Sequence, residues 1–270
     1  MKNKAIGVFD SGLGGLTAVK ELIKCLPNEN IVYFGDTGRV PYGTRSKETI
    51  IKYAAQDAKF LLNHNVKMII AACGTVSSVA SSLGEDLPVM FTGVLEPTAL
   101  ACATATKSGS VAVLGTSATI NSHSYKNLIK KINPSIKVYE QDCPLFVPLV
   151  ENGFTDKDDI IVRSVVERYV SQFKDTDVDT VILGCTHYPL LKAAIGEILG
   201  KDVKLIDSGR ETALYTKKLL EEHSLLCDRE NEGERSFFVS DTPHNFEAVA
   251  GRFLGRNMKS RAERIDIEKY

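Results

Sequence analysis

Two short stretches carry residue types that could move a proton. Ala71-Ala72-Cys73-Gly74-Thr75 follows the run Lys67-Met68-Ile69-Ile70, and Leu183-Gly184-Cys185-Thr186-His187 follows Thr180-Val181-Ile182-Leu183. Each is a strand-like run that reaches a small residue, a cysteine and a threonine. Each therefore sets a thiol and a hydroxyl at the carboxyl edge of a strand, where open α/β sheets bind ligands. Two such edges facing one another would hold two thiols on opposite sides of one small molecule. One thiolate could then remove a proton α to a carboxylate while the opposite thiol delivers one to the other face, the roles exchanging in the reverse direction.

A free thiol titrates near pH 8.5, so a thiolate at neutrality needs a helper. His187, two residues after Cys185, and Asp10, on a neighbouring strand edge, are the candidates. Thr75, Thr116, Thr119 and Thr186 offer hydroxyls and backbone N–H groups to the carboxylate and ammonium of an amino acid. An isolated cysteine at the end of an apolar strand is ordinarily a small buried hydrophobe, and that is the reading for Cys25, Cys102, Cys143 and Cys227. The paired context sets Cys73 and Cys185 apart.

The elements that position these groups follow from periodicity. Ala5 to Phe9 reads as a buried strand running into Asp10-Ser11-Gly12-Leu13-Gly14-Gly15, a glycine-rich turn that opens a helix through Leu16, Val19, Leu22, Ile23 and Leu26. The turn lacks a third glycine at dinucleotide spacing and has no Gly-Lys-Ser/Thr ending, so it serves a small ligand better than a phosphate. Asp10 either assists a neighbour there or caps the helix. A strand over Ile31 to Phe34 leads into a polar, glycine-bearing turn from Gly35 to Gly43, and a helix over about 47–64, capped by Ser46, precedes the Cys73 strand. A further strand spans Val89 to Thr92.

The pattern restarts at Glu96-Pro97, in an alanine-rich helix to about Thr106. Val111 to Thr116 then repeats the logic of Ile6 to Ser11, and nearly the same length of chain separates the two opening strands as separates the two thiols. Helices near 121–132, 160–173, 189–198 and 214–223 alternate with strands at 137–141, 180–183, 203–206 and 235–240. This predicts two similar α/β domains with mainly parallel sheets, related by a pseudo-twofold axis, with the active site in the cleft between them. Residues 1–95 with 208–270 form the first, carrying Cys73; residues 96–207 form the second, carrying Cys185. The charged end from Lys259 is expected to fray.

Bulk properties narrow the partners. With 270 residues, 43% hydrophobic and 25% charged, the chain can bury a sizeable core. Its net charge of −1 leaves no electrostatic footprint for nucleic acid or an anionic membrane. No run approaches a membrane span, and the start is a strand rather than a signal peptide, so a cytoplasmic protein is expected. There the six cysteines should be thiols, and none is spaced as a zinc ligand pair, so no metal is expected. The expected partners are a small-molecule substrate and, as a homodimer, the chain itself.

Several segments resemble one family. The run from Phe9 to Gly15, Gly35-Asp36-Thr37 with Pro41-Tyr42-Gly43, Glu96-Pro97, Gly115-Thr116, the run from Val147 to Glu151, and the run from Gly184 to Leu191 all look like motifs of the glutamate racemases, within the cofactor-independent aspartate/glutamate racemase superfamily. Ser240-Asp241, with Phe246, Ala250 and the run from Phe253 to Gly255, looks like that family's closing segment. The resemblance implies cofactor-free interconversion of L- and D-glutamate, supplying D-glutamate for peptidoglycan, with Cys73 and Cys185 as the catalytic thiols. It implies a substrate site lined by Asp10, Ser11, Tyr42, Gly43, Thr75, Thr116, Thr186 and His187, with Pro41 beside them and Glu151 at an acidic position nearby.

One departure is Gly74, where the family usually carries asparagine. It removes an amide that would contact substrate, leaving the backbone N–H and a space that water could fill. Such a loss costs about 0.5–1.5 kcal/mol. Alternatives are therefore a racemase for aspartate or another amino acid, or an amino-acid-binding homologue that has lost turnover. The chain opens at its first strand, so an activator site on an amino-terminal extension is not expected.

Overall fold

The computed structural model describes residues 1–242, 246–255 and 261–270. In chain order the strands are β1 (Ala5–Asp10), β2 (Ile31–Gly35), β3 (Val66–Ala71), β4 (Met90–Gly93), β5 (Ser110–Gly115), β6 (Lys137–Asp142), β7 (Thr180–Leu183), β8 (Lys204–Asp207), β9 (Arg235–Val239) and β10 (Glu263–Arg264). They form two sheets, ordered β10-β9-β2-β1-β3-β4 and β6-β5-β7-β8, with every adjacent pair parallel. The order β2-β1-β3-β4 recurs as β6-β5-β7-β8, so the repeat read in the sequence is a repeat of topology. β1 corresponds to β5 and β3 to β7. The two cysteines accordingly follow equivalent central strands.

Central strands of parallel sheets are covered on both faces, which is why β1, β3, β5 and β7 are buried end to end. Alternation sends Ile6, Val8, Met68 and Ile70 into one layer with Ala112, Leu114, Val181 and Leu183, while Ala5, Phe9, Ile69 and Ala71 pack in another beneath the first sheet. Val111, Val113 and Ile182 fill the corresponding layer of the second sheet. The residues that begin the chemical loops are thus continuations of strands the core holds rigidly.

The helices are α1 (Leu16–Cys25), α2 (Lys47–Leu62), α3 (Gly74–Val79), α4 (Leu95–Ala105), α5 (Ser117–Asn121), α6 (Ser124–Ile132), α7 (Phe146–Glu151), α8 (Ile160–Val170), α9 (Lys192–Leu199), α10 (Ser208–Glu222) and α11 (Phe246–Leu254). Two of them cross over. α4 leaves the first sheet and packs on β7 and β8, whereas α10 leaves the second and packs along α1, where Gly209 abuts Ala18. Among the described residues, no helix is long and apolar enough to cross a membrane.

Several boundaries differ from the sequence reading. The helix expected over 121–132 is broken at His123, which sits in the left-handed region (φ 52°), giving α5 and α6. The helix expected from Leu214 begins six residues earlier, because Asp207 caps it by accepting from the N–H groups of Gly209 and Arg210. Ser46 does cap α2, accepting from Thr49 N–H. Lys259 and the Phe246 side chain lie outside the described residues, but beyond them the charged end is ordered: β10 pairs with β9, and Ile267 is buried.

Candidate active site

The β1–α1 turn is packed tightly between the two halves. Asp10 is buried and accepts the Gly12 N–H at 3.0 Å, so it folds the turn and does not cap α1. Burial raises its pKa; the charge of His187 and the N–H groups of Gly15, Gly12 and Ser11 oppose that rise. A Cβ on Gly14 would strike the Thr186 hydroxyl and lie 2.6 Å from His187 Nδ1, so only glycine admits the second thiol loop this closely. Thr17 then ties the loops together by donating to the Thr186 carbonyl at 3.0 Å.

Cys73 ends the β3 run and precedes α3, with its thiol 3.6 Å from Ser11 Oγ. Burial, and after it the nearby Asp10 carboxylate, push this thiol up to about 12, so it is protonated at neutrality. Cys185 has a different neighbourhood. Its sulfur is 3.9 Å from His187 Nδ1, and His187 Nε2 is 3.1 Å from Glu151 Oε1. Burial would depress the imidazole pKa, but hydrogen bonds to Cys185 and Glu151 outweigh it and raise it to about 10. Phe253 meets the same ring edge-to-face, with centroids 5.1 Å apart. The two thiols thus differ in company: Cys73 has Ser11 and the Asp10 carboxylate beside it, and Cys185 has the His187 imidazolium.

Both line one cavity of about 380 Å³, within the range of small-molecule sites. Thr116 caps α5 and shares hydroxyl hydrogen bonds with Thr75 (3.1 Å) and Thr119 (3.0 Å), so a threonine of each half meets across the cavity wall. Pro41, Tyr42, Gly43 and Thr44 close another side, and Ser11, Gly74, Ser117, Glu151, Thr186 and His187 also line the cavity. Asp10 and Thr119 are not among the lining residues: Asp10 is bonded within the β1–α1 turn, and Thr119 bonds to the Thr116 hydroxyl.

At Gly74 there is no room for a side chain, so the position is not simply a site from which an amide has been removed. A Cβ there would run into the Gly184 carbonyl oxygen, because the backbones of the two thiol loops touch at this point. The space that a side chain would need is occupied by the other half of the molecule.

The sequence profile of the Asp/Glu/Hydantoin racemase family matches residues 14–216. The chain belongs to that family. A glutamate racemase of Geobacter metallireducens is 48% identical over 253 residues, covering 93% of each chain. The crystal structure of the glutamate racemase of Francisella tularensis in complex with D-glutamate covers 100% of both chains with a TM-score of 0.92 at 43% identity. That of Thermus thermophilus in complex with β-chloro-D-alanine gives 0.88 at 40% identity, over 100% of this chain and 99% of that one.

Some lining residues of this racemase escaped the sequence reading. Cys143 was read as an ordinary core cysteine. It is buried, yet it lines the same cavity with Val40, Pro144, Val147 and Pro148. The proline-punctuated stretch before Glu151 was the available signal: α7 places it over the site and sets Glu151 at its end.

Proposed function

We propose that this racemase interconverts L- and D-glutamate without a cofactor, by proton transfer between Cys73 and Cys185. The observation that carries this reading is the pair of free thiols that enter one cavity from equivalent strand ends of the two sheets. The thiolate at Cys185, with His187 and Glu151 behind it, takes the α-proton from one face. Cys73, already a thiol, delivers its proton to the opposite face. Ser11 accepts from Cys73 and fixes the direction of its S–H, while Asp10 disfavours a second negative charge on that side. In the reverse direction the protonation states are exchanged.

The hydroxyls of Ser11, Thr75, Thr116 and Thr186, with the backbone of Tyr42, Gly43 and Gly74, serve the substrate's carboxylates and ammonium. Such donors are effective because they are fixed before the charge develops. Glutamate is preferred over aspartate on the strength of relatives at 43–48% identity that are named glutamate racemases. The product would supply D-glutamate for peptidoglycan. Six free thiols suit the cytoplasm as the place of work, and a homodimer is the proposed assembly.

Proton NMR of each glutamate enantiomer with the protein in D₂O, followed by chiral analysis, tests the reading. Loss of the α-proton signal from both, with inversion, is expected. Faster exchange with aspartate would favour that substrate instead, and binding without exchange would leave the chain a binding protein.

A further inference from the structure

The turn after β2 supplies Val40, Pro41, Tyr42, Gly43 and Thr44 to the cavity wall, yet it has little regular structure of its own. What holds it is a buried polar node built on Asp36, Arg39 and Asp57, none of which lines the cavity, with Tyr42 joining the node to the wall. Arg39 donates from Nε to Asp36 Oδ2 at 2.6 Å, from Nη2 to Asp57 Oδ1 at 3.2 Å, and from Nη1 to Gln56 Oε1 at 2.6 Å. Its guanidinium lies 4.0 Å from the centre of the Tyr53 ring, and Glu268 of the chain end reaches Nη1 at 3.4 Å. The Tyr42 hydroxyl contacts both Asp36 Oδ2 and Asp57 Oδ2, the latter at 3.1 Å.

The proton count at this node is informative. Asp36 and Asp57 are both fully buried, and Arg39 is the cation that both carboxylates share. A phenol has one hydrogen and cannot donate to two carboxylates at once. Both contacts are hydrogen bonds if Asp57 carries a proton, donates it to the Tyr42 oxygen, and Tyr42 donates to Asp36. Asp36 and Arg39 then cancel in charge, as buried ions must. Burial, and then the Asp36 charge, raise the Asp57 pKa well above the carboxylate range, with Asp10 adding to the rise and Arg39 and Tyr42 opposing it.

We infer that Asp57 and Arg39 are positioning residues, which fix the substrate-facing turn through a hydrogen-bond relay from a neutral Asp57 to Tyr42 to Asp36, closed by Arg39. This rests on the racemase reading for its kinetic consequence, but not for its structural one.

Asp57→Asn keeps a donor where the acid's O–H stands, and Asp57→Leu removes it. In the full-length enzyme, Asp57→Leu is expected to raise KM for both glutamate enantiomers about tenfold, the worth of one buried hydrogen bond, with kcat changed much less because the thiol loops are untouched. Asp57→Asn is expected to restore KM to within about threefold of the parent, as a retained hydrogen bond would. Hydrogen exchange of the amides over residues 37–45 should accelerate in Asp57→Leu and not in Asp57→Asn. Tyr42→Phe, which removes only the hydroxyl, is expected to give the same rise in KM and the same faster exchange, and takes the place of the leucine variant should that variant not fold. An asparagine variant as damaged as the leucine one, or a turn whose exchange is unchanged in Tyr42→Phe, overturns the relay. Absence of turnover in the parent protein overturns the racemase reading instead, while the exchange data still decide the relay.

Discussion

Each thiol has its own acid–base company, so single substitutions should not be equivalent. Cys73→Ser and Cys185→Ser should each lower α-proton exchange most for the enantiomer whose proton that residue abstracts, measured in D₂O for both enantiomers; equal residual rates in both variants would defeat the two-base assignment. His187 is protonated below about pH 10, and above that pH the positive charge beside Cys185 is lost. Because the pKa is raised by folding, the stabilisation is complete below the ordinary histidine value and is lost as pH rises through about 10. Activity beginning at Cys185 should fall along the same limb. Glu151→Gln should bring that limb down by about one pH unit, since a half-exposed carboxylate contributes about 1 kcal/mol; an unmoved limb in a pH–kcat/KM profile would show that Glu151 does not support the His187 charge. Gly74→Asn should lower both the melting temperature and kcat/KM, at a cost of about 1–3 kcal/mol for overpacking against the Gly184 carbonyl. The two cysteines were legible in the sequence because each follows a β-run. The meaning of Gly74 was not, because its neighbour is more than a hundred residues away along the chain.

At the scale of elements, what the sequence revealed was periodicity, and what it concealed was local termination. Long apolar runs gave β1, β3, β5 and β7 with little ambiguity, since strands buried on both faces carry few polar interruptions. The break at His123 depends on one backbone angle in a residue with no strong turn signature, and α10 starts early because Asp207 caps it. The chain end was misread because charge suggests solvation, whereas one apolar side chain decides the packing. Ile267 is buried and Tyr270 meets Phe60 edge-to-face at 5.3 Å. Ile267→Ala should therefore destabilise the protein by about 2 kcal/mol in a denaturant titration, the lower end for a core truncation of this size. A frayed end would show no change.

At the scale of the molecule, the two sheets and their matching order were legible as a repeat, and so was the crossing of α4 and α10, because the restart of the pattern at Glu96 and its return after Asp207 assign the first helix to the second half and the other to the first. What periodicity does not show is that the two crossing helices also pack against each other. We place the domain limits near residues 95 and 207, where those helices leave their own sheets. Neither sheet is then covered only by helices that lie between its own strands: α4 runs from β4 to cover β7 and β8, and α10 runs from β8 to pack along α1. Fragments cut between β4 and β5, near residue 107, should be insoluble when expressed singly and recover racemisation when expressed together. The interleaving also bears on motion. The halves share two crossings of the chain, made by α4 and α10, which pack against each other, and a body joined at two crossings can rock about the line through them but cannot slide or swivel freely. The thiols would keep their alignment with the substrate carbon through every opening and closing that admits a new molecule.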